Sequence, residues 1–302
     1  MNLKKILFVV VATMTLSFAS KAQTVVPIFW PFSLASTHAT MVRTVADELN
    51  KTQKDYTFVF VHKPGAGGSI AANSLLNHQG PAIMAATSSF FIRPNLYPAA
   101  SHDLSKFNTI GSYCTSQPIA LISSKYKTLA DLKNKAVNIG VIPGSITHLA
   151  ALSYGKASRT DLNTVFYQGT PEITKDVLGG HLDIGVDFLS AATQFSGKVN
   201  VLGISGRTEY PEGRTFKSQG VPNVDVTHAN FLIYSNGADP KLIETTRLAL
   251  ANVLKSHKLQ EACQQEYGSV VTNVLSTKEA AELYAEQVNF WRSQSQGVVI
   301  EK

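Results

Sequence analysis

Residues 136–156 read AVNIGVIPGSITHLAALSYGK. Ala136–Val141 is a short run rich in β-branched residues and is expected to be a strand. Pro143 and Gly144 interrupt the chain. Ser145, a residue type that caps helices, opens a helix-like stretch from Ile146 to Lys156. Strand, turn and helix then recur in both directions from this segment. The other β-rich runs are Val25–Trp30, Thr57–His62, Ile83–Ala86, Thr164–Tyr167, Leu182–Asp187 and Val199–Ile204. Between them lie helix-like stretches at Thr40–Lys51, Ser69–His78, Leu129–Lys133 and Pro171–Leu178. A βαβα order predicts an α/β fold with mostly parallel sheets flanked by helices.

Beyond residue 239 the pattern changes. Pro240–Ser256, Lys258–Tyr267 and Thr277–Ser293 read as three helices, and Ser276 with Glu279 forms a capping box before the last of them. Trp291 falls on an apolar stripe and is expected to pack. The 302 residues suggest two domains at roughly 150 residues each. No linker separates them, so two lobes joined by short crossings are expected, near Ile110–Ile122 and Thr227–Ser235. That division gives lobe 1 as residues 23–114 plus 232–302 and lobe 2 as residues 115–231.

The amino terminus carries Lys4-Lys5, an apolar run and Ser20-Lys21-Ala22, the pattern of a secretory signal peptide over residues 1–22. Its apolar run is shorter than the ~20 residues a membrane span needs. Cleavage removes three lysines and no acid, so the formal charge falls from +6 to +3. That is too little to argue for nucleic acid, and no basic cluster interleaved with aromatics is present. An exported, periplasmic protein follows. Charged residues are only 16 % of the chain, against a norm of about 25 %. Cys114 and Cys263 are the only cysteines, and an oxidising compartment permits either a disulfide or two buried thiols. The cysteines and eight histidines show no metal-ligand spacing, and neither a metal nor a cofactor is expected.

Several junctions carry polar residues where a strand meets a helix. Lys63-Pro64-Gly65-Ala66-Gly67-Gly68-Ser69 is either a tight turn or an anion cradle at a helix start. It lacks the P-loop ending and the third glycine of a dinucleotide fingerprint. Gly67-Gly68-Ser69-Ile70-Ala71 nearly matches a nucleophile elbow, which leaves a secreted α/β hydrolase using Ser69, with Asp187 and His228, as an alternative. Ala85–Ser89 and Pro143–His148 each offer hydroxyls and backbone N–H groups. Either ordinary capping or ligand contact would use them. Asp187 closes the strand Leu182–Asp187, where an acid accepts hydrogen bonds from a ligand or orients a loop.

In this order the junctions resemble the Bug-type solute receptors, the periplasmic binding proteins of tripartite tricarboxylate transporters. The matching segments are Lys63-Pro-Gly-Ala-Gly-Gly-Ser-Ile, Gly144-Ser-Ile-Thr-His-Leu-Ala, Tyr167-Gln-Gly-Thr-Pro and Val177-Leu-Gly-Gly-His-Leu-Asp-Ile, with Trp291 near the end. The resemblance implies a two-lobed, type II-like Venus flytrap that captures a small organic acid. It implies delivery to membrane transporter subunits and no enzymatic activity; the same receptor could serve a membrane signalling partner as a ligand sensor. A monomer is expected. Expected ligand contacts are Thr87, Ser88, Ser145, Thr147 and His148. Phe32, Ser33 and His38 are expected on the lobe 1 wall, and Tyr167, Gly169 and Asp187 on the lobe 2 wall. The first loop departs from the family pattern: Ala35, Ser36 and Thr37 replace glycines, Ala39 replaces an acid, and Phe188 replaces an asparagine. These changes stiffen the loop, add side chains beside the ligand and point to an altered substrate with an apolar or aromatic part.

Overall fold

A computed structural model describes residues 23–298 and residue 300; the expected signal segment lies outside the described residues. The first third runs Thr24–Trp30 (β1), Thr37–Thr52 (α1), Tyr56–His62 (β2), Ser69–Leu76 (α2), Ile83–Thr87 (β3) and Ser88–Leu96 (α3). A long strand, Phe107–Ser123 (β4), leads into Ala136–Val141 (β5), Ile146–Ser158 (α4), Asp161–Phe166 (β6) and Thr170–Leu178 (α5). Ile184–Phe188 (β7), Leu189–Gln194 (α6) and Asn200–Ile204 (β8) complete the middle. The chain ends through Thr227–Ser235 (β9), Pro240–Val253 (α7), His257–Gln265 (α8), Ser269–Val270 (β10) and Thr277–Gln294 (α9).

Among the described residues the parallel pairs are β1 with β2 and β3, and β5 with β6 and β7. Every antiparallel pair includes β4 or β9. The mixed sheet runs β2-β1-β3-β9-β4-β7-β5-β6. Each end is therefore a βαβαβ unit with its first strand in the middle, and together they make the two-lobed α/β fold. In such units ligands bind outside the carboxyl ends of the strands, where the strand order reverses. β3 and β7 are buried along their whole length, as strands covered on both faces must be. α1 buries His38, Met41, Val42, Val45, Ala46 and Leu49, a stripe at helical spacing.

β4 belongs to both lobes. Its residues Phe107 to Pro118 pair with β9, and Ile119 to Ser123 pair with β7 and β8. Its pairing with β9 is broken by register shifts at Thr109/Gly111, Ser112/Cys114 and Cys114/Gln117. Such bulges bend and twist a strand, which lets one strand leave one sheet face and enter another. The capping box of Ser276 and Glu279 and the burial of Trp291 are both present. Three elements differ from the sequence expectation. α3 contains Pro94, which weakens any helix signal there. α6 is only six residues long. Leu129–Leu132 is a 3-10 turn, held by Thr128 and Asp131, rather than an α-helix.

Cys114 is bonded to Cys263 of α8, with Cα atoms 5.9 Å apart, which resolves the open question of their pairing. The bond spans a sequence separation of 149 and ties the bulged part of β4 to a helix packed on α1. By restricting the unfolded chain, such a cross-link is worth about 2–4 kcal/mol. Replacing both cysteines by alanine is expected to lower the free energy of unfolding from urea titration by that amount; an unchanged value would show that the cross-link adds nothing to stability.

Candidate functional site

A narrow cavity lies between the lobes. The residues that cap α1, α3, α4, α5 and α6 all line it: Ser36, Thr87, Ser145, Gly169 and Phe188. This follows from topology. Each of these helices follows a strand whose carboxyl end faces the cleft, so five helix N-termini point at one space. Each terminus carries unpaired N–H groups and a partial positive charge. Ser36, Thr87 and Ser145 each accept one N–H of their own first turn. Gly169 and Phe188 offer no side-chain cap, which leaves the starts of α5 and α6 without one.

Among the described residues no Lys, Arg, Asp or Glu lines this cavity. The other walls are Trp30, Phe32, Ile142 and Ile146, with Ser33, Ser89, Thr147 and Thr170 adding hydroxyls. About 40 Å³ is reachable by the centre of a water molecule, roughly three water sites. A wider space of about 390 Å³ adjoins it across Ser36, His38, Thr170 and Phe188, and is lined by Asp187, Glu266 and Lys175 among others.

Two buried imidazoles belong to the cavity. The Asn230 amide Nδ2 donates to Gln117 Oε1 at 2.7 Å, and Gln117 Nε2 donates to His38 Nε2 at 3.0 Å. That chain places the proton of a neutral His38 on Nδ1. Burial pushes the His38 pKa down, while the nearby Glu266 charge partly opposes it. His228 on β9 is pushed well below the usual range, by burial first and by His38 second. The rings of His38, Phe188 and His228 form a triangle with centroids 4.3, 4.9 and 5.0 Å apart.

The cavity thus brings together Phe32, Ser33, His38, Thr87, Ser145, Thr147 and Gly169 of the expected residues. Four lie elsewhere. Ser88 Oγ turns away and accepts the Ala229 N–H at 2.9 Å, while Ser89, one position on, lines the cavity. His148 Nδ1 accepts the Gly144 N–H at 3.2 Å and braces the loop before α4 from behind. Burial lowers its pKa to about 4. Tyr167 donates to Asp176 Oδ2 at 2.6 Å and packs against Gly140. Asp187 accepts from Thr174 Oγ1 at 2.5 Å and the Phe188 N–H at 2.7 Å, so it orients the starts of α5 and α6. Burial raises its pKa to about 6.

Ser36, Ser89, Thr170 and His228 also line the cavity, though none is in the expected contact set. Ser36 was legible as a cap once α1 is started at Thr37. The signal for His228 is a polar alternation, His228 and Asn230, on an otherwise apolar strand. Ser69 is buried, and its hydroxyl meets Arg93 Nε and His102 Nδ1 rather than Asp187 or His228. His102 Nε2 meets the Phe90 carbonyl, not a carboxylate.

Contacts across the cleft hold the lobes together. Arg93 of α3 donates to the Pro143 carbonyl at 3.2 Å, the Ile146 N–H to Ser89 Oγ at 3.3 Å, and Ser33 Oγ to Glu172 at 3.3 Å. Two lobes whose helix N-termini face one uncharged cavity are the architecture of a solute-binding protein. The profile described as "Tripartite tricarboxylate transporter family receptor" matches residues 41–298, and the chain belongs to that family. Among solved structures, the periplasmic binding protein BugD aligns over 90 % of this chain and 97 % of its own, at 23 % identity and a TM-score of 0.81. MatC from Rhodopseudomonas palustris, with bound malate, aligns over 91 % of this chain and 100 % of its own at 18 % identity and a TM-score of 0.78. An R. palustris protein with adipate covers 92 % of this chain and 97 % of its own, at 18 % identity and a TM-score of 0.79.

The buried imidazoles make stability depend on pH. His38, His102, His148 and His228 are all lowered in the folded state, His102 and His148 to about 4. Their contribution is complete above the unfolded value of about 6.5 and is lost as pH falls below it, because only the unfolded chain then takes up protons. Asp187 acts in the opposite sense between about 6 and its unfolded value. Four groups outweigh one. The free energy of unfolding is expected to fall between pH 7 and pH 5, approaching about 1.4 kcal/mol per pH unit for each net proton. Urea titrations at a series of pH values check this, and a flat profile over that range would contradict it.

Proposed function

We propose that the chain is an extracytoplasmic solute receptor. It captures a small carboxylate-bearing molecule between a lobe of residues 23–114 plus 232–302 and a lobe of residues 115–231. It then presents the closed form to a tripartite tricarboxylate-type membrane transporter. The observation that carries this reading is the convergence of five helix N-termini on a cavity free of charged side chains. Such a site binds one carboxylate through backbone N–H groups and hydroxyls. The malate and adipate of the two R. palustris structures fit the same chemistry. The narrowness of the cavity favours a ligand of a few heavy atoms beyond the carboxylate.

The receptor reading includes export after cleavage of residues 1–22, a monomeric state, and no catalysis. The hydroxyl of Ser69 is committed to Arg93 and His102 away from the cavity, which speaks against the hydrolase alternative. Ligand drives closure only by binding the closed form better than the open one. β4, shared by both lobes and bulged between them, is the natural hinge.

Two measurements test the reading. In a thermal-shift panel on residues 23–302, small mono- and dicarboxylates are expected to raise the melting temperature and neutral analogues are not. Saturation at a hundredfold above Kd adds about 2.7 kcal/mol to stability. No shift from any acid removes the receptor function. The second is Gly169→Val. Gly169 has extended backbone that any residue tolerates, yet a Cβ there would lie 2.5 Å from Ser33 Cβ across the cleft. The variant is expected to fold normally, hold the lobes apart and weaken acid binding at least about tenfold, a cost of about 1.4 kcal/mol. Unchanged affinity by calorimetry would show that closure at Gly169 is not needed.

A further inference from the structure

His228 is 3 % exposed, lines the cavity, and has no hydrogen-bond partner at either ring nitrogen among the described residues. A buried polar atom left this way costs about 1–3 kcal/mol. The surrounding side chains cannot remove the deficit. Phe188 and His38 meet the ring through their own rings. Asn230 sits beside it on the same face of β9, and its amide Nδ2 is already given to Gln117 and the Cys114 carbonyl. Only Asn230 Oδ1, itself without a partner, remains nearby, and it is an acceptor.

A neutral imidazole has one N–H and one bare nitrogen. Asn230 Oδ1 could at most take the N–H. The bare nitrogen needs a proton donor, and no neighbouring group supplies one. A carboxylate oxygen cannot supply it either. The electrostatics at this end point the same way. Asp187 and Glu266 stand just behind the wall of His38 and Phe188, where Lys175 is the one lysine or arginine among the described lining residues, and no lysine or arginine lines the cavity itself to balance a second ligand carboxylate.

We propose that His228 is the specificity-determining residue of the cavity, selecting small monocarboxylates that carry an N–H or O–H donor next to the acid. The carboxylate takes the helix N-termini, and the donor takes the bare nitrogen of His228. Hydroxyl, primary amide and ammonium groups share this chemistry. Plain alkanoates and dicarboxylates lack it. The inference rests on the receptor reading above and refines its substrate class.

The test is calorimetric titration with size-matched probes: glycolate and lactate, malonamate, glycine, propionate and malonate. In the native protein at least one donor-bearing acid is expected to bind at least about tenfold more tightly than propionate and malonate, and the strongest donor arm identifies the group. His228→Phe keeps the ring packing and is expected to bring that ratio close to one while propionate binding persists. His228→Gln, which retains a donor and an acceptor, is expected to restore part of the preference. The imidazole nitrogen-15 resonances of His228 in the native protein give a reading that does not depend on variant folding. The bare-nitrogen signal is expected to move on adding the preferred probe and to stay put with propionate. Equal affinity for malonate or propionate, a preference that survives His228→Phe, or an unmoved resonance overturns the proposal and leaves the receptor function standing. Absence of binding by every acid in the panel overturns both.

Discussion

Bringing several helix N-termini to one point is unfavourable, because their partial positive charges repel. In this protein α1, α3, α4, α5 and α6 all start at the cleft, and no acidic side chain lines the cavity to balance them. On the receptor reading a bound anion balances them, and only in a closed form would it touch both lobes at once. The coupling between capture and closure therefore comes from the direction of the βα units. A parallel strand followed by its helix must present the helix start at the carboxyl edge of the sheet. Two such units facing one another across β4 and β9 leave the chain no other place for those termini.

Charged and ionisable side chains are kept out of the cavity and placed one layer back, where they hold its walls. Asp187 ties α5 to the start of α6, His148 braces the loop before α4, and Tyr167 is anchored to Asp176. Arg93 has no acidic partner among the described residues; its guanidinium bonds to Ser69 and to two carbonyls, one of them across the cleft at Pro143. Gly67 and Gly144 leave the room it occupies, since a Cβ at either would fall within 3 Å of its Nη1. A cation held by backbone carbonyls adds rigidity without placing a salt bridge beside the ligand.

The alternation of β-branched runs and helical stretches made nearly every strand legible in the sequence, Ala136–Val141 to the residue. Hydrophobic periodicity reports burial, and burial sets these elements. The helix starts were legible too, as small hydroxyl residues at strand ends. Which side chain at a start faces the ligand was not, because adjacent residues on a helix differ by about a third of a turn. That is why Ser89 lines the cavity and Ser88 bonds to Ala229. Asp187, Tyr167 and His148 have the chemistry of contacts, but in this structure their polar atoms bond to residues around the cavity. The pairing of Cys114 with Cys263, and the environment of His228, depend on residues far apart in the chain and carry no local signal.

His228 and Gln117 face each other in register on β9 and β4, the strands that join the lobes. On the proposal above, the chemistry that selects the ligand is built into the joint between the lobes. A substitution there alters selectivity and the ease of closure together. The loop from Phe32 to Ser36, by contrast, lines the cavity from the rim. For anyone redirecting this receptor to a new molecule, the rim loop is the adjustable part, and the joint is the part to leave in place until last.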